Sequence, residues 1–289
     1  MDTIIIKDIM KLKIHLELLH NLNKSISLVP TMGSIHQGHI ELVRQAKKYS
    51  DFTLVTIFIN PIQFNDKIDY LNYPSKELDD IKLLKKEKVD LIFIPKKIEI
   101  YPYDYATFVS VEKYQNIMCA KFRESHFRGV STIILKLLIL IKPKMAIFGK
   151  KDYQQLLIIK KLCTDLMLDI KILSIDTIRE KDGLAISSRN SKLNNKQRML
   201  ASLIYKGLNT ASKLIETGSS PKKTCARFSK ELIKKGFSTV EYFETRTEDK
   251  LELLKDFEYL DSRIFIAVYI KKIRLIDNIK LNFTNLRKV

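Results

Sequence analysis

Short apolar runs rich in Val, Ile and Phe alternate with longer helix-like stretches through the first 176 residues, and few folds accept that order. The runs are Ser27–Val29, Phe52–Ile59, Val89–Ile94, Met145–Phe148 and Ile170–Ile175. Between them lie His39–Tyr49, Lys76–Lys88, Val130–Ile141 and Asp152–Leu166, each long enough for a helix. Strands separated by helices read as βαβ units, so the expected class is α/β, a doubly wound parallel sheet with helices on both faces. Such sheets bind ligands beyond the carboxyl ends of their strands, near the point where strand order reverses. A site is therefore expected just after Val29, Ile59, Phe148 and Ile175.

The pattern changes after Thr177. A polar segment leads into a helical stretch, Lys196–Glu216, and Gly218-Ser219-Ser220-Pro221 forms a turn. A second helix, Lys222–Lys235, ends at Gly236, and strand-like runs follow at Val240–Thr245, Ile264–Lys271 and Lys272–Ile276. Two domains are expected, residues 1–176 and a smaller α+β domain over 177–289 that closes over the site of the first.

Several partner classes drop out. The longest apolar stretch, Ile133–Ile141, is interrupted by Lys136, well short of the roughly 20 residues a spanning helix needs. No secretory signal is visible at the start. Cys119, Cys163 and Cys225 are far apart and odd in number, which points to a reducing cytoplasm rather than a disulfide framework or zinc site. Cys163, in an apolar helical run, reads as packing. The net charge is +18, but it comes mainly from Lys scattered along the chain, with only 11 Arg. With abundant Ile and little Gly, that reads as genomic drift towards A/T-rich codons. Arg clusters and interleaved aromatics are missing, so no nucleic-acid partner is expected.

Pro30-Thr31-Met32-Gly33-Ser34-Ile35-His36-Gln37-Gly38-His39 follows the first of these strands and opens a helix. Gly33 and Gly38 let backbone approach a ligand, and the amides of a helix start favour an anion. His36 and His39 share one face of the opening turn. Phosphates suit this arrangement; a zinc pair or two unrelated surface histidines are the alternatives. Asn60 and Gln63 lie beyond the next strand, ended by Pro61, and suit either a small polar substrate or a solvated turn. After Gly149, Lys151 and Gln155 fall on one helical face; Lys151 can reach a phosphate, Asp152 a ribose hydroxyl and Gln155 a second substrate, or the segment is a helix cap with surface charges. Ser187-Ser188-Arg189 can grip a triphosphate, or serve as an N-cap that Ser191 or Asn195 could supply instead. Asp79 and Asp80 read as a solvated helix face, with water-mediated Mg²⁺ binding as the alternative. His126 and Arg128 suit helix positioning as well as direct contact.

The H-x-G-H string is similar to that of a large nucleotidyltransferase superfamily, and the longer blocks narrow it. Pro30–His39, Phe58-Ile59-Asn60-Pro61-Ile62-Gln63-Phe64, His126-Phe127-Arg128-Gly129-Val130-Ser131-Thr132, Phe148-Gly149-Lys150-Lys151-Asp152-Tyr153-Gln154-Gln155 and Lys181-Asp182-Gly183-Leu184-Ala185-Ile186-Ser187-Ser188-Arg189-Asn190 stand in order. Together they resemble the pantothenate synthetase (pantoate–β-alanine ligase) family from about residue 25 to 200, and weakly to Asp277. Two departures are visible: Lys150 where the family usually has Glu, and Glu124-Ser125 for a usual Pro-Gly, which suggests a less rigid loop. A Lys at 150 is expected to face solvent.

The resemblance implies a Rossmann-like nucleotidyltransferase domain and an ATP-dependent ligation of pantoate and β-alanine through pantoyl adenylate. It implies His36, His39, Lys151 and Arg189 as the charge-stabilising, catalytic set, with His39 as proton donor. ATP contacts are implied along Met32, Gly33, Ser34, Ile35, His36, Gln37, Gly38 and His39, then at Gly149, Lys150, Lys151 and Asp152. The backbone of Ile178 is implied against adenine, with Ile186, Ser187, Ser188 and Arg189 in a mobile phosphate-gripping loop. Gln63 and Gln155 are implied at pantoate, with Asn60 beside them. Mg²⁺ with ATP and a homodimer through the N-terminal domains complete the expectation; no direct metal ligands are assigned.

Overall fold

The computed structural model describes residues 2–283; Met1 and residues 284–289, the outer ends of the two expected domains, lie outside the described residues. Up to Ile175 the order is β1 (Ile4–Ile6), α1 (Ile9–Asn21), β2 (Ile26–Thr31), α2 (Gln37–Tyr49), β3 (Phe52–Ile57), α3 (Lys67–Leu71), α4 (Glu77–Lys86), β4 (Leu91–Phe93), α5 (Lys97–Ile100), α6 (Met118–Phe122), α7 (His126–Ile141), β5 (Met145–Gly149), α8 (Tyr153–Asp165) and β6 (Lys171–Ile175). The strands form one parallel sheet in the order β1-β4-β3-β2-β5-β6. This is the expected α/β class, with β1 as a sixth strand beyond the five read from the sequence.

Burial on both faces explains why the inner strands are continuous apolar runs. Val29, Val55 and Ile147 pack with Ile40, Val43 and Ala46 of α2. Leu28, Leu54 and Ala146, one step along each strand, are also fully buried. The order reverses between β2 and β5, and their pairing covers only Ser27–Met145 and Leu28–Ala146. Beyond that point the two strands diverge. Pro30 therefore removes no ladder bond on the β5 side, which is how a proline fits near the end of a central strand.

The remaining elements are α9 (Asn195–Ala201), α10 (Leu203–Glu216), α11 (Pro221–Lys234), β7 (Thr239–Thr247), β8 (Ser262–Ile270) and β9 (Ile273–Lys280). The three strands make an antiparallel sheet in the order β7-β8-β9. Ile204, Leu208, Ala211 and Ile215 of α10 and Phe228 and Leu232 of α11 share a core with Ile264, Ile266 and Val268 of β8. The single helix expected over Lys196–Glu216 is two, broken at Ser202. The chain divides into two compact units, Met1–Lys150 with Gln154–Asp176, and Lys151–Tyr153 with Thr177–Val289. No helix among the described residues is long and apolar enough to cross a membrane.

Candidate active site

The loop after β2 is built around a buried carboxylate. Gly33 takes φ +77° and Ser34 φ +51°, and this turn aims two backbone amides at Asp80 of α4. Asp80 Oδ2 accepts from Ser34 N at 2.8 Å and Oδ1 from Ile35 N at 2.6 Å. A Cβ at position 33 would stand 2.9 Å from Asp80 Oδ2, so glycine is needed there twice over. Asp80 is only 2 % exposed, which corrects its reading as part of a solvated face; Asp79 is exposed as expected. Helical periodicity alone could not show that one acidic residue turns inward to tie a loop. Burial pushes the Asp80 carboxyl above the usual range, against the pull of its two amide bonds.

His36 caps α2, whose first intrahelical bond runs from Ile40 N to His36 O at 3.1 Å. The imidazoles of His36 and His39 stack, with centroids 4.0 Å apart and planes 16° apart. His39 Nδ1 accepts from His36 N at 3.4 Å, so in the neutral ring the hydrogen sits on Nε2. A Cβ at position 38 would lie 3.0 Å from His36 Cε1. Gly38 thus makes room for the first imidazole, which gives the H-x-G-H spacing a steric cause. Gln37 between them is exposed.

Asn60 and Gln63 flank a 3-10 turn, Pro61–Gln63, after β3. The Gly129 carbonyl can only accept, so the side of Asn60 that faces it at 3.0 Å is Nδ2. Asn60 Nδ2 also donates to Gln63 Oε1 at 3.0 Å. This turns Gln63 Nε2 the other way, 2.9 Å from Met32 Sδ in the loop after β2. Gln63 therefore presents a donor. Asn60, 1 % exposed, is engaged within the protein and orients Gln63. His126 Nδ1 meets the Gln63 carbonyl at 2.7 Å, while Nε2 faces the donor-only guanidinium of Arg123 at 3.1 Å. Gly129 lets α7 approach: a Cβ there would lie 2.6 Å from Ile62 O and 2.7 Å from Gln63 N. His126 thus ties the start of α7 to the Gln63 turn, and Arg128 lies over the Phe108 ring at 4.9 Å.

At the end of β5, Gly149 pairs with Ile175 of β6. Lys150 Nζ lies 2.7 Å from Asp176 Oδ1, an exposed ion pair beside the end of β5. Lys150–Asp152 is a 3-10 turn and α8 starts at Tyr153, so Lys151 and Gln155 do not share a helical face as expected. Of the two glutamines that follow, Gln154 is consumed: Oε1 accepts from Cys119 N at 3.0 Å, and Nε2 donates to Tyr114 O at 2.9 Å and Ile117 O at 3.0 Å. Gln155 is half-buried on another side of α8. Cys119, Cys163 and Cys225 are buried and free.

In the second unit, the Lys151 carbonyl accepts from Asn278 Nδ2 at 3.0 Å. Lys151 is half-buried and Asp152 exposed. Residues 178–186 fold back on themselves: Ile186 N donates to Ile178 O at 2.9 Å, and Gly183 turns the chain at φ +92°. Arg179 fixes this hairpin to β9 through a two-pronged pair with Asp277, at 2.6 and 3.0 Å, and its guanidinium covers Tyr205 at 4.0 Å. Ser187 Oγ accepts from Arg189 N at 3.3 Å and caps the 3-10 turn Ser188–Lys192. Neither Ser191 nor Asn195 caps the following helix; Asn194 does, in a reciprocal box with Gln197. Ser188 and Arg189 are half-buried.

A parallel sheet with its histidine-headed helix and amide-bearing turn beyond the strand ends defines an α/β protein of the nucleotidyltransferase type. A family profile described as pantoate-beta-alanine ligase matches residues 4–280. The chain is 42 % identical over 277 residues to a pantothenate synthetase of Caldicellulosiruptor bescii, covering 96 % of this chain and 98 % of that one. It is 45 % identical over 282 residues to one of Buchnera aphidicola from Acyrthosiphon pisum, with the same coverage, 96 % and 98 %. Among solved structures, pantothenate synthetase from Thermus thermophilus superposes with a TM-score of 0.90 at 33 % identity, over 96 % of this chain and 99 % of that one. The ligase from Francisella tularensis, complexed with β-γ ATP and β-alanine, does so with a TM-score of 0.83 at 34 % identity, over 96 % and 97 %. The chain belongs to the pantoate–β-alanine ligase family, and so is a ligase.

Proposed function

We propose that this chain joins pantoate to β-alanine with ATP, through pantoyl adenylate, and releases AMP and pyrophosphate. The observation that carries the reading is the contact between Gln63 Nε2 and Met32 Sδ. It sets an amide donor suited to a small oxyacid against the loop that leads into the stacked His36–His39 pair. The Francisella relative complexed with an ATP compound and β-alanine supports the choice of ligands.

In the first step a pantoate carboxylate oxygen attacks the α-phosphorus and the bond to the β-phosphate breaks. In the second the β-alanine amine attacks the acyl carbon, AMP leaves and the amine loses a proton. Adenylation supplies the leaving group, so no covalent protein nucleophile is required. Gln63 and Gln155 hold pantoate, and Asn60 acts through Gln63. His39, with its hydrogen on Nε2, donates towards the departing pyrophosphate. His36, Lys151 and Arg189 stabilise charge that gathers at phosphorus. The turn Met32–Ile35, Gln37 and Gly38, Gly149 and Lys150, and Ile186–Ser188 complete the nucleotide contacts; Asp152 takes the ribose and the Ile178 backbone the adenine.

Magnesium would come with ATP and would offset the charge of its phosphates. Both oxygens of Asp80 are engaged by backbone amides, which fits a structural carboxylate rather than a metal ligand. The working form is a cytoplasmic homodimer. The test is product analysis with ATP, pantoate and β-alanine. Pantothenate and AMP in equal amounts are expected; ADP, or no pantothenate, would refute the reading.

A further inference from the structure

Tyr101 lies outside every motif used so far. It follows α5, and its buried ring packs against Phe58 and Tyr105, with centroids 6.1 and 4.9 Å away. Lys136 of α7 holds this cluster from behind: its ammonium sits 5.5 Å from the Tyr101 ring and 4.3 Å from the Tyr105 ring, and donates to Ile100 O at 2.8 Å. The Tyr101 hydroxyl donates to Asn60 Oδ1 at 2.7 Å.

The direction of that bond is fixed by its neighbours. Gly129 O requires Asn60 Nδ2 on its side, so Oδ1 faces Tyr101, and the phenol must be the donor. With both ends of the Asn60 amide satisfied, Gln63 Oε1 is held and Nε2 is directed outward. We propose that Tyr101 is a positioning residue for the pantoate step: its hydroxyl closes the acceptor end of Asn60 and so keeps Gln63 as a donor towards the substrate. The proposal rests on the reading of Gln63 as a pantoate-binding group. Burial raises the Tyr101 phenol well above its ordinary value, so it remains a donor wherever the enzyme works. Without the hydroxyl, Asn60 Oδ1 would be buried and unpartnered, and rotation of the amide would release Gln63.

The experiment is a double-mutant cycle on the full chain, with Tyr101→Phe, Gln63→Ala and both together. KM for each substrate, kcat and the thermal midpoint are measured. Tyr101→Phe should raise the pantoate KM about tenfold, the scale of one lost hydrogen bond, and leave the KM for ATP and β-alanine within about twofold. The double variant should bind pantoate no worse than Gln63→Ala alone. Tyr105→Phe, in the same aromatic cluster but without a bond to Asn60, should leave the pantoate KM unchanged. An unchanged pantoate KM in Tyr101→Phe alone would overturn the proposal and leave the site reading standing, as would losses that simply add. An unchanged pantoate KM in Gln63→Ala would overturn both.

Discussion

Ser125 starts α7 with φ +62° and ψ −8°, a left-handed conformation at a position where the family usually has glycine. Ser125 thus holds a glycine-like turn at a cost in strain. Relief of such strain gains about 1–2 kcal/mol, and the looser unfolded chain of glycine returns roughly 0.4–1 kcal/mol of it. Ser125→Gly should thus stabilise the protein by roughly 0.5–1 kcal/mol in urea unfolding; a loss would mean that the serine side chain holds the turn. Two motif glycines separate in the same way. Gly129→Ala should cost about 3 kcal/mol by overpacking against backbone, whereas a Cβ at Gly149 meets nothing within 4 Å. Gly149→Ala should leave the thermal midpoint unchanged and raise the KM for ATP; an unchanged KM would show that nucleotide does not approach that backbone. At this scale the motif blocks were legible because they cluster in sequence. The inward turn of Asp80 and the donor polarity of Gln63 were not: the first depends on a partner 46 residues away, the second on the bond of Asn60 to Gly129, 69 residues apart.

Elements were legible where burial imposes a period. The inner strands were found because both faces are covered, which makes them unbroken apolar runs. Strand β1 has three residues, and Ile4 and Ile5 are partly exposed at the sheet edge, too little pattern to mark it. Helix α1 buries Leu12 and Leu16 but exposes Met10, Ile14 and Leu18, so no single apolar face announces it. The contact of Lys150 with Asp176 and that of Arg179 with Asp277 show how differently two ion pairs join elements. Asp176 is largely exposed, whereas the Asp277 side chain is 1 % exposed and is gripped at both oxygens. Asp277→Ala should leave a buried guanidinium uncompensated and cost about 3–5 kcal/mol. Lys150→Glu should cost less than about 1 kcal/mol of stability, since that pair is exposed to solvent. Equal losses of stability would contradict the distinction between the two pairs.

The whole molecule is two compact units, and the short segment Lys151–Tyr153 groups with the second although it lies between β5 and most of α8. Tyr153 explains this: its ring lies 5.8 Å from Phe265 and under Arg263 at 4.6 Å, and its hydroxyl donates to Glu248 O at 3.2 Å. The sequence marked a change of pattern near Thr177 but gave no sign of that excursion, because it rests on tertiary contacts across about a hundred residues. A homodimer is expected in solution, and light scattering at assay concentration checks it; a sole mass near 33.7 kDa would refute it. The central claim is that the acid is activated on phosphorus before the amine takes part. Pyrophosphate–ATP exchange tests this most directly, with labelled pyrophosphate, Mg–ATP and pantoate but no β-alanine. Label should enter ATP only when pantoate is present. Exchange that strictly requires β-alanine, or that proceeds without pantoate, would contradict the account.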